Sequence, residues 1–224
     1  MTQELWTAVD RYLTDMFVPQ DAALEAALRA SVAGGLPQIQ VSPPQGKLLM
    51  LLAQIQGAKN ILEIGTLGGY STIWLGRGMP RGGHLITLEA DAKHADVARA
   101  NIARAGLASL VEVILGPALD TLPQLAARGR GPFDLIFIDA DKQSLPDYFA
   151  WSLKLCRPGT IIIIDNVIRD GTVINAASTD ASDQGVRRMN EMMVAETRVT
   201  ATAIQTVGSK GYDGFAIARV NAER

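Results

Sequence analysis

Two acids carry the first chemical signal in the chain. The run Phe137-Ile138-Asp139-Ala140-Asp141-Lys142 ends one apolar stretch, and Ile163-Ile164-Asp165-Asn166 ends another. If these stretches are neighbouring parallel strands, about 4.8 Å apart, Asp139 and Asp165 emerge side by side at the carboxyl edge of a sheet. Two like charges that close need a counter-charge, or one must take up a proton. A hard divalent cation meets the need, and Asn166 adds a neutral oxygen. An all-oxygen set suits Mg²⁺, Mn²⁺ or Ca²⁺ rather than zinc. Three protein ligands on an octahedral ion leave open positions for a bidentate substrate and a water. Lys142 follows three residues after Asp139. A cation close by would favour its neutral form, and a neutral lysine there could act as a general base. The plainer alternative is that both acids only cap the helices that follow and that Lys142 is solvated or ion-paired.

A second signal is the glycine loop Glu63-Ile64-Gly65-Thr66-Leu67-Gly68-Gly69-Tyr70-Ser71. Glycines there permit positive φ and close approach of a ligand to the backbone. The loop follows an apolar run, the place where open α/β sheets bind ligands. A dinucleotide fingerprint wants Gly-x-Gly-x-x-Gly, but Glu63 stands at its first glycine. A carboxylate there would repel a pyrophosphate and suit a cationic amino-acid moiety. About one βαβ step later, Leu85-Ile86-Thr87-Leu88-Glu89 ends on an acid, where an acid commonly holds ribose hydroxyls. Asp91 is the better helix cap of the two.

Residues so placed need a frame of strands and helices. Strands are expected at Asn60–Ile64, His84–Glu89, Leu110–Leu115, Phe133–Ile138 and Thr160–Ile164. Amphipathic stretches separate them, over Ser71–Gly78, Lys93–Ala105, Leu119–Arg128 and Leu145–Leu155. That alternation implies a parallel sheet covered on both faces. Ile161-Ile162-Ile163-Ile164, apolar without alternation, suits a strand buried on both sides. A polar loop then leads to a helix near Asp183–Glu196. Two last strands, Val199–Val207 and Gly214–Val220, follow as an antiparallel pair. Residues 1–57 read as three helices, with Asp21 capping the second, Gly34-Gly35-Leu36-Pro37 breaking it, and Gly57 ending the third. One domain over residues 1–224 is expected, a helical segment over 1–57 preceding the core over 58–224.

Composition excludes several classes. With 48% hydrophobic and 20% charged residues, the chain has an ordinary globular balance. Its formal net charge of -2, with Lys and Arg scattered, leaves no basic footprint for nucleic acid. A small, roughly neutral ligand fits better. The lone cysteine, Cys156, is expected to be a small buried hydrophobe. No leader-like segment follows Met1, and the apolar run Leu48 to Ala53 is too short to span a bilayer, so a cytoplasmic location is expected.

Taken together, these motifs resemble the cation-dependent O-methyltransferase family, which includes catechol and caffeoyl-CoA O-methyltransferases. The resemblance runs from Gln40-Val41-Ser42-Pro43 to Asp213-Gly214-Phe215. Its strongest parts are Glu63-Ile64-Gly65 with Gly69-Tyr70-Ser71, Gly116-Pro117-Ala118, Phe137-Ile138-Asp139-Ala140-Asp141-Lys142 and Asp165-Asn166-Val167. It implies the seven-stranded, Rossmann-like methyltransferase sheet, mostly parallel with its last strand antiparallel, and helices on both faces. It implies S-adenosylmethionine as cofactor, held through Val41, Glu63, Gly65, Thr66, Ser71, Glu89, Ala118, Asp139 and Asp141. Within that set Glu63, Gly65 and Ser71 match the methionine end, Glu89 the ribose and Ala118 the adenine. Asp139, Asp165 and Asn166 match the metal ligands, and Lys142 matches the catalytic base. The implied reaction is in-line attack of a phenolate, from a small aromatic diol, on the sulfonium methyl. The implied assembly is a homodimer. Ala140 and Asp141 replace bulky rings of the catechol enzymes, and the Trp often found after Asn166 is missing, so the acceptor's identity stays open. A base-amino methylase would carry Asn/Asp-Pro-Pro-aromatic where Asp139-Ala140-Asp141-Lys142 stands. A nicotinamide oxidoreductase is opposed by Glu63, and a non-catalytic module by the intact metal set with Lys142.

Overall fold

The computed structural model describes residues 2–222; Met1, Glu223 and Arg224, the ends of the expected 1–224 domain, lie outside the described residues. Three helices come first: α1 (Gln3–Phe17), α2 (Ala22–Ala33) and α3 (Pro43–Gln56). The core then alternates β1 (Asn60–Ile64), α4 (Tyr70–Gly78), β2 (His84–Glu89), α5 (Ala92–Arg104), β3 (Val111–Leu115), α6 (Ala118–Ala127), β4 (Phe133–Ile138), α7 (Leu145–Leu155), β5 (Cys156–Asp165), α8 (Ala181–Ala195), β6 (Val199–Gly208) and β7 (Gly211–Val220). Local chemistry sets the helix ends. The carboxylate of Asp21 accepts from the N–H of Ala23 and Leu24, and that of Asp91 from Lys93 and His94. Ser42 caps α3, whose first turn holds Pro43 and Pro44, and Gly57 ends that helix in the left-handed region.

The seven strands form one sheet in the order β3-β2-β1-β4-β5-β7-β6. β1 to β5 pair in parallel, while β7 lies between β5 and β6 and runs antiparallel to both. Strand order reverses between β1 and β4, the switch point at which an open α/β sheet leaves a crevice. Successive side chains of β1 point to opposite faces: Leu62 and Ile64 join Ile86, Phe149 and Met189 on one, Ile61 joins Leu85, Ile73 and Trp74 on the other. Each such buried side chain stabilises the fold by about 1.5–3 kcal/mol before entropy is counted. All six residues of β4 are buried, as a central strand covered on both faces requires.

Three expectations need correction. Cys156 is half-buried at the start of β5, because the strand begins four residues earlier than Thr160 and its first residues lie near the surface. Val199 and Gly214 do begin and interrupt apolar runs, but the terminal strands extend to Gly208 and from Gly211, making a long hairpin with a tight turn. The loop after Asp165 contains a 3₁₀ turn, Arg169–Ile174, kinked at Asp170 and Gly171. No helix among the described residues is long and apolar enough to cross a membrane.

Candidate active site

The β4–β5 register pairs Ile138 with Ile164, so Asp139 and Asp165 leave the sheet as neighbours at its carboxyl edge. Asp165 is 5% exposed. Its Oδ2 accepts from Gln45 Nε2 at 2.8 Å, and its Oδ1 from the Asn166 N–H at 2.9 Å. Burial, then the charge of Asp139, pushes its carboxyl up to about 7, against the opposing pull of Lys142. Asp139 Oδ1 accepts from Lys142 Nζ at 2.8 Å, and Lys142 is itself buried. Asn166 holds φ 58°, a left-handed conformation that asparagine tolerates better than most residues. Its side-chain amide makes no hydrogen bond among the described residues.

Lys142 opens a 3₁₀ turn, Lys142–Ser144, that is pinned from two sides. Asp141 accepts from the Ser144 N–H at 3.2 Å and from the Tyr148 hydroxyl at 2.5 Å. From α8, Gly185 packs against the turn so closely that a Cβ would stand 2.1 Å from the Lys142 carbonyl oxygen. Gly65 plays the same part at the switch point: its φ is 99°, and a Cβ would lie 2.0 Å from the Asp139 carbonyl oxygen.

A cavity of about 750 Å³ runs along this edge. Asp139, Asp141, Lys142, Asp165 and Asn166 line its β4–β5 end. Gly65, Glu89, Ala118 and Val41 line the rest, so nine of the residues singled out from the sequence share one space. Glu89 is set by the backbone, accepting from Leu67 N–H at 2.8 Å and Asp91 N–H at 2.9 Å, with His94 Nδ1 3.7 Å away. Glu63, Thr66 and Ser71, expected to touch a cofactor, do not line the cavity. They lie beneath it. Glu63 is fully buried and accepts from Ser71 Oγ at 2.6 Å, Thr87 Oγ1 at 2.7 Å and Thr72 Oγ1. Thr66 Oγ1 donates to Thr87 Oγ1 at 2.6 Å, since the Thr87 hydroxyl donates to Glu63. Burial pushes the Glu63 carboxyl up to about 7, although the three hydroxyls pull it down. In this structure these residues brace the glycine loop through hydrogen bonds among themselves and with Thr72 and Thr87.

The donor set fits a hard divalent cation. Two carboxylates meet at one edge, one of them driven toward its neutral form by burial and then by the charge of the other; a cation would favour both ionised. No group of three or more His, Cys, Asp and Glu is gathered among the described residues, so the set must draw on the Asn166 amide and on oxygens from outside the chain. Four cavity residues gave no signal in the sequence reading: Gln45, His94, Tyr148 and Lys210. Tyr148, seven residues past Asp141, had a helical spacing that could have flagged it. Gln45 and Lys210 arrive from distant elements.

Comparison with known proteins gives the family. A family model described as O-methyltransferase matches residues 15–219. The chain is 55% identical over 220 residues to the catechol O-methyltransferase of Niastella koreensis, covering 98% of this chain and 100% of that one. An O-methyltransferase from Bacillus cereus, solved in complex with SAH, has a TM-score of 0.97 and 60% identity, covering 98% of this chain and 100% of its own. The O-methyltransferase TomG from Streptomyces achromogenes, involved in tomaymycin synthesis and solved in complex with SAM, has a TM-score of 0.96 and 50% identity, covering 99% and 100%.

Proposed function

The chain belongs to the O-methyltransferase family, and on that premise we propose that it uses S-adenosylmethionine and a divalent cation to O-methylate a small aromatic vicinal diol. One observation carries the reading. Asp139, Asp165 and Asn166 meet beside the buried Lys142 at one end of a cavity that also holds Glu89, Gly65 and Ala118. The complexes of the Bacillus and Streptomyces relatives with SAH and SAM support the cofactor.

S-adenosylmethionine supplies an electrophilic sulfonium methyl, and a cation held by Asp139, Asp165 and Asn166 supplies Lewis acidity toward a phenolic oxygen. The chain's own residues do the rest. Glu89, its carboxylate fixed by two backbone N–H groups, accepts from ribose hydroxyls. Gly65 lets the loop backbone approach the methionine part, and Ala118 flanks the adenine. Val41 and Asp141 add further contacts along the wall. A free phenol ionises near pH 10, so its proton needs an acceptor at neutral pH. Lys142, buried with its Nζ 2.8 Å from Asp139 Oδ1, would take that proton in its neutral form, which a cation drawing on the Asp139 carboxylate would favour. Holding oxygen and methyl in one cavity replaces a bimolecular encounter with an oriented one. A vicinal diol suits the site because two adjacent oxygens can chelate where three protein ligands leave room.

A panel of catechols, monophenols and hydroxycinnamoyl compounds, assayed with labelled cofactor with and without chelator, tests the reading. Diols should be methylated, monophenols hardly, and chelator should stop the reaction. Monophenols turned over as fast as matched diols would contradict it.

The proposal extends to a homodimer. α1 buries none of its residues, and Tyr12, Met16 and Phe17 are more than half exposed, as is no residue of a finished core. Ile204 and Val207 continue this apolar surface on β6. Light scattering at micromolar concentration should give twice the chain's mass; the mass of one chain would refute the dimer.

A further inference from the structure

The segment after Asn166 departs from ordinary backbone geometry. Arg169 has φ 56°, Asp170 φ 53° and Gly171 φ 86°. Two consecutive non-glycine residues in the left-handed region persist only where the surroundings impose them. Here Asp213 imposes them, its Oδ1 accepting from the N–H groups of Ile168 at 2.9 Å and Arg169 at 3.1 Å. The result carries Arg169 to the wall of the cavity, next to Asn166. Its Nε is buried there without a hydrogen-bond partner among the described residues. The carboxylate of Asp183 stands 4.0 Å from that nitrogen, but it already accepts from Thr172 Oγ1 and Ser178 Oγ, each at 2.7 Å.

A second cation reaches the same space from another element. Lys210, in the β6–β7 turn, lines both the main cavity and a side chamber of about 310 Å³ that adjoins it at Gln45, Asp165 and Asn166. Its Nζ donates to the Gln38 carbonyl at 2.8 Å, which leaves two of its three protons available. The turn that bears it is anchored to α1, since Asp10 Oδ2 accepts from Ser209 N–H at 2.7 Å and Ser209 Oγ at 2.9 Å.

We propose that Arg169 and Lys210 select acceptors whose aromatic diol carries a carboxylate. The inference rests on the diol reading above and names the acceptor class within it. A guanidinium fork matches a carboxylate with two parallel hydrogen bonds, and an ammonium adds a point charge. Most acids nearby are already engaged: Asp139 by Lys142, Asp141 by Tyr148, Asp213 by backbone N–H groups and Asp10 by Ser209. Asp170 is different. It is exposed and lines the side chamber, so a diol with an ammonium arm is the outcome the test must separate.

Three ring-matched acceptors make that test: protocatechuate, its amide and dihydroxybenzylamine, each with S-adenosylmethionine and Mg²⁺. The unmodified enzyme should favour the carboxylate over the amide in kcat/KM by at least about tenfold, and Arg169→Gln or Lys210→Gln should each erase about tenfold of that preference. Arg169→Lys should restore only part, because an ammonium cannot form the paired hydrogen bonds. Equal use of carboxylate and amide, preference for the amine, or variants that slow all three acceptors alike would overturn the proposal. Calorimetry separates its failure from that of the diol reading. Protocatechuate titrated into the complex with S-adenosylhomocysteine should bind the unmodified protein and bind Arg169→Gln at least about tenfold more weakly. That result with no diol methylated would retire the diol reading and keep the anion site; equal binding by both proteins would retire the anion site.

Discussion

Replacing Glu63 by glutamine should change the pH dependence of stability in a way the burial of that residue dictates. The Glu63 carboxyl is pushed from its ordinary 4.5 up to about 7 in the folded chain, chiefly by burial. The folded state therefore binds this proton more tightly than the unfolded state does. Below about pH 4.5 both states hold the proton, and the full stability is present. As pH rises toward 7 the unfolded chain releases the proton first, so stability falls; above 7 both states have released it and the loss is complete. At 1.36 kcal/mol per pKa unit, the loss amounts to about 3 kcal/mol. Glu63→Gln keeps the volume and one acceptor oxygen for the hydroxyls of Ser71, Thr72 and Thr87, but cannot titrate. Urea unfolding of both proteins, followed by circular dichroism from about pH 5 to about pH 8, isolates the effect because Asp165 and the other groups titrate in both. The stability of the unmodified protein minus that of the variant should fall by about 2.5 kcal/mol over the range. A difference constant to within about 0.5 kcal/mol would show that Glu63 does not titrate there and would refute the reasoning.

Other variants separate the two ends of the cavity. Asp139→Ala and Asp165→Ala should each abolish methyl transfer while calorimetry shows cofactor affinity kept within a few-fold. The proposed cofactor contacts come mainly from the ends of β1 to β3, through Gly65, Glu89 and Ala118, and Mg²⁺ sheds water too reluctantly to stay on the remaining donors. Loss of cofactor binding in step with activity would count against that division. Lys142→Ala should lower kcat by roughly 10²–10⁴-fold with a much smaller change in KM, read from steady-state kinetics; an unchanged kcat would remove Lys142 from the role of base. Glu89→Gln should weaken S-adenosylmethionine binding by about tenfold or more, since a neutral amide replaces a charged acceptor. An unaltered dissociation constant would mean that the carboxylate only organises Leu67 and Asp91.

Much of this site was readable because strand ends are. Apolar runs closing on Asp139, Asp165 and Glu89 put the acids at the carboxyl edge once the sheet was inferred, and the parallel β4–β5 register then fixed their adjacency. Spacing could not tell a cavity wall from the layer beneath it. Glu63 and Ser71 sit in the right loop, but the β1 pleat turns the Glu63 carboxylate under the loop, where three hydroxyls hold it. Gln45 and Lys210 were invisible for another reason. They join Asp165 and Asn166 only through the packing of α3 and the β6–β7 turn, and no local pattern records contacts at such separations. α1 packs against α3 and β6, yet Tyr12, Met16 and Phe17 stay more than half exposed within the described chain. Periodicity reports that a face exists, never what covers it.

The central claim is that a divalent cation between Asp139, Asp165 and Asn166 is required for methyl transfer to a diol. Methylation of catechol should therefore be followed with labelled cofactor after exhaustive treatment with chelator, with the metal content of the same sample measured. The rate should stand at background in the stripped enzyme and recover when Mg²⁺ or Mn²⁺ is added back, with S-adenosylmethionine bound throughout. Full activity in excess chelator, with no metal detected, would contradict it.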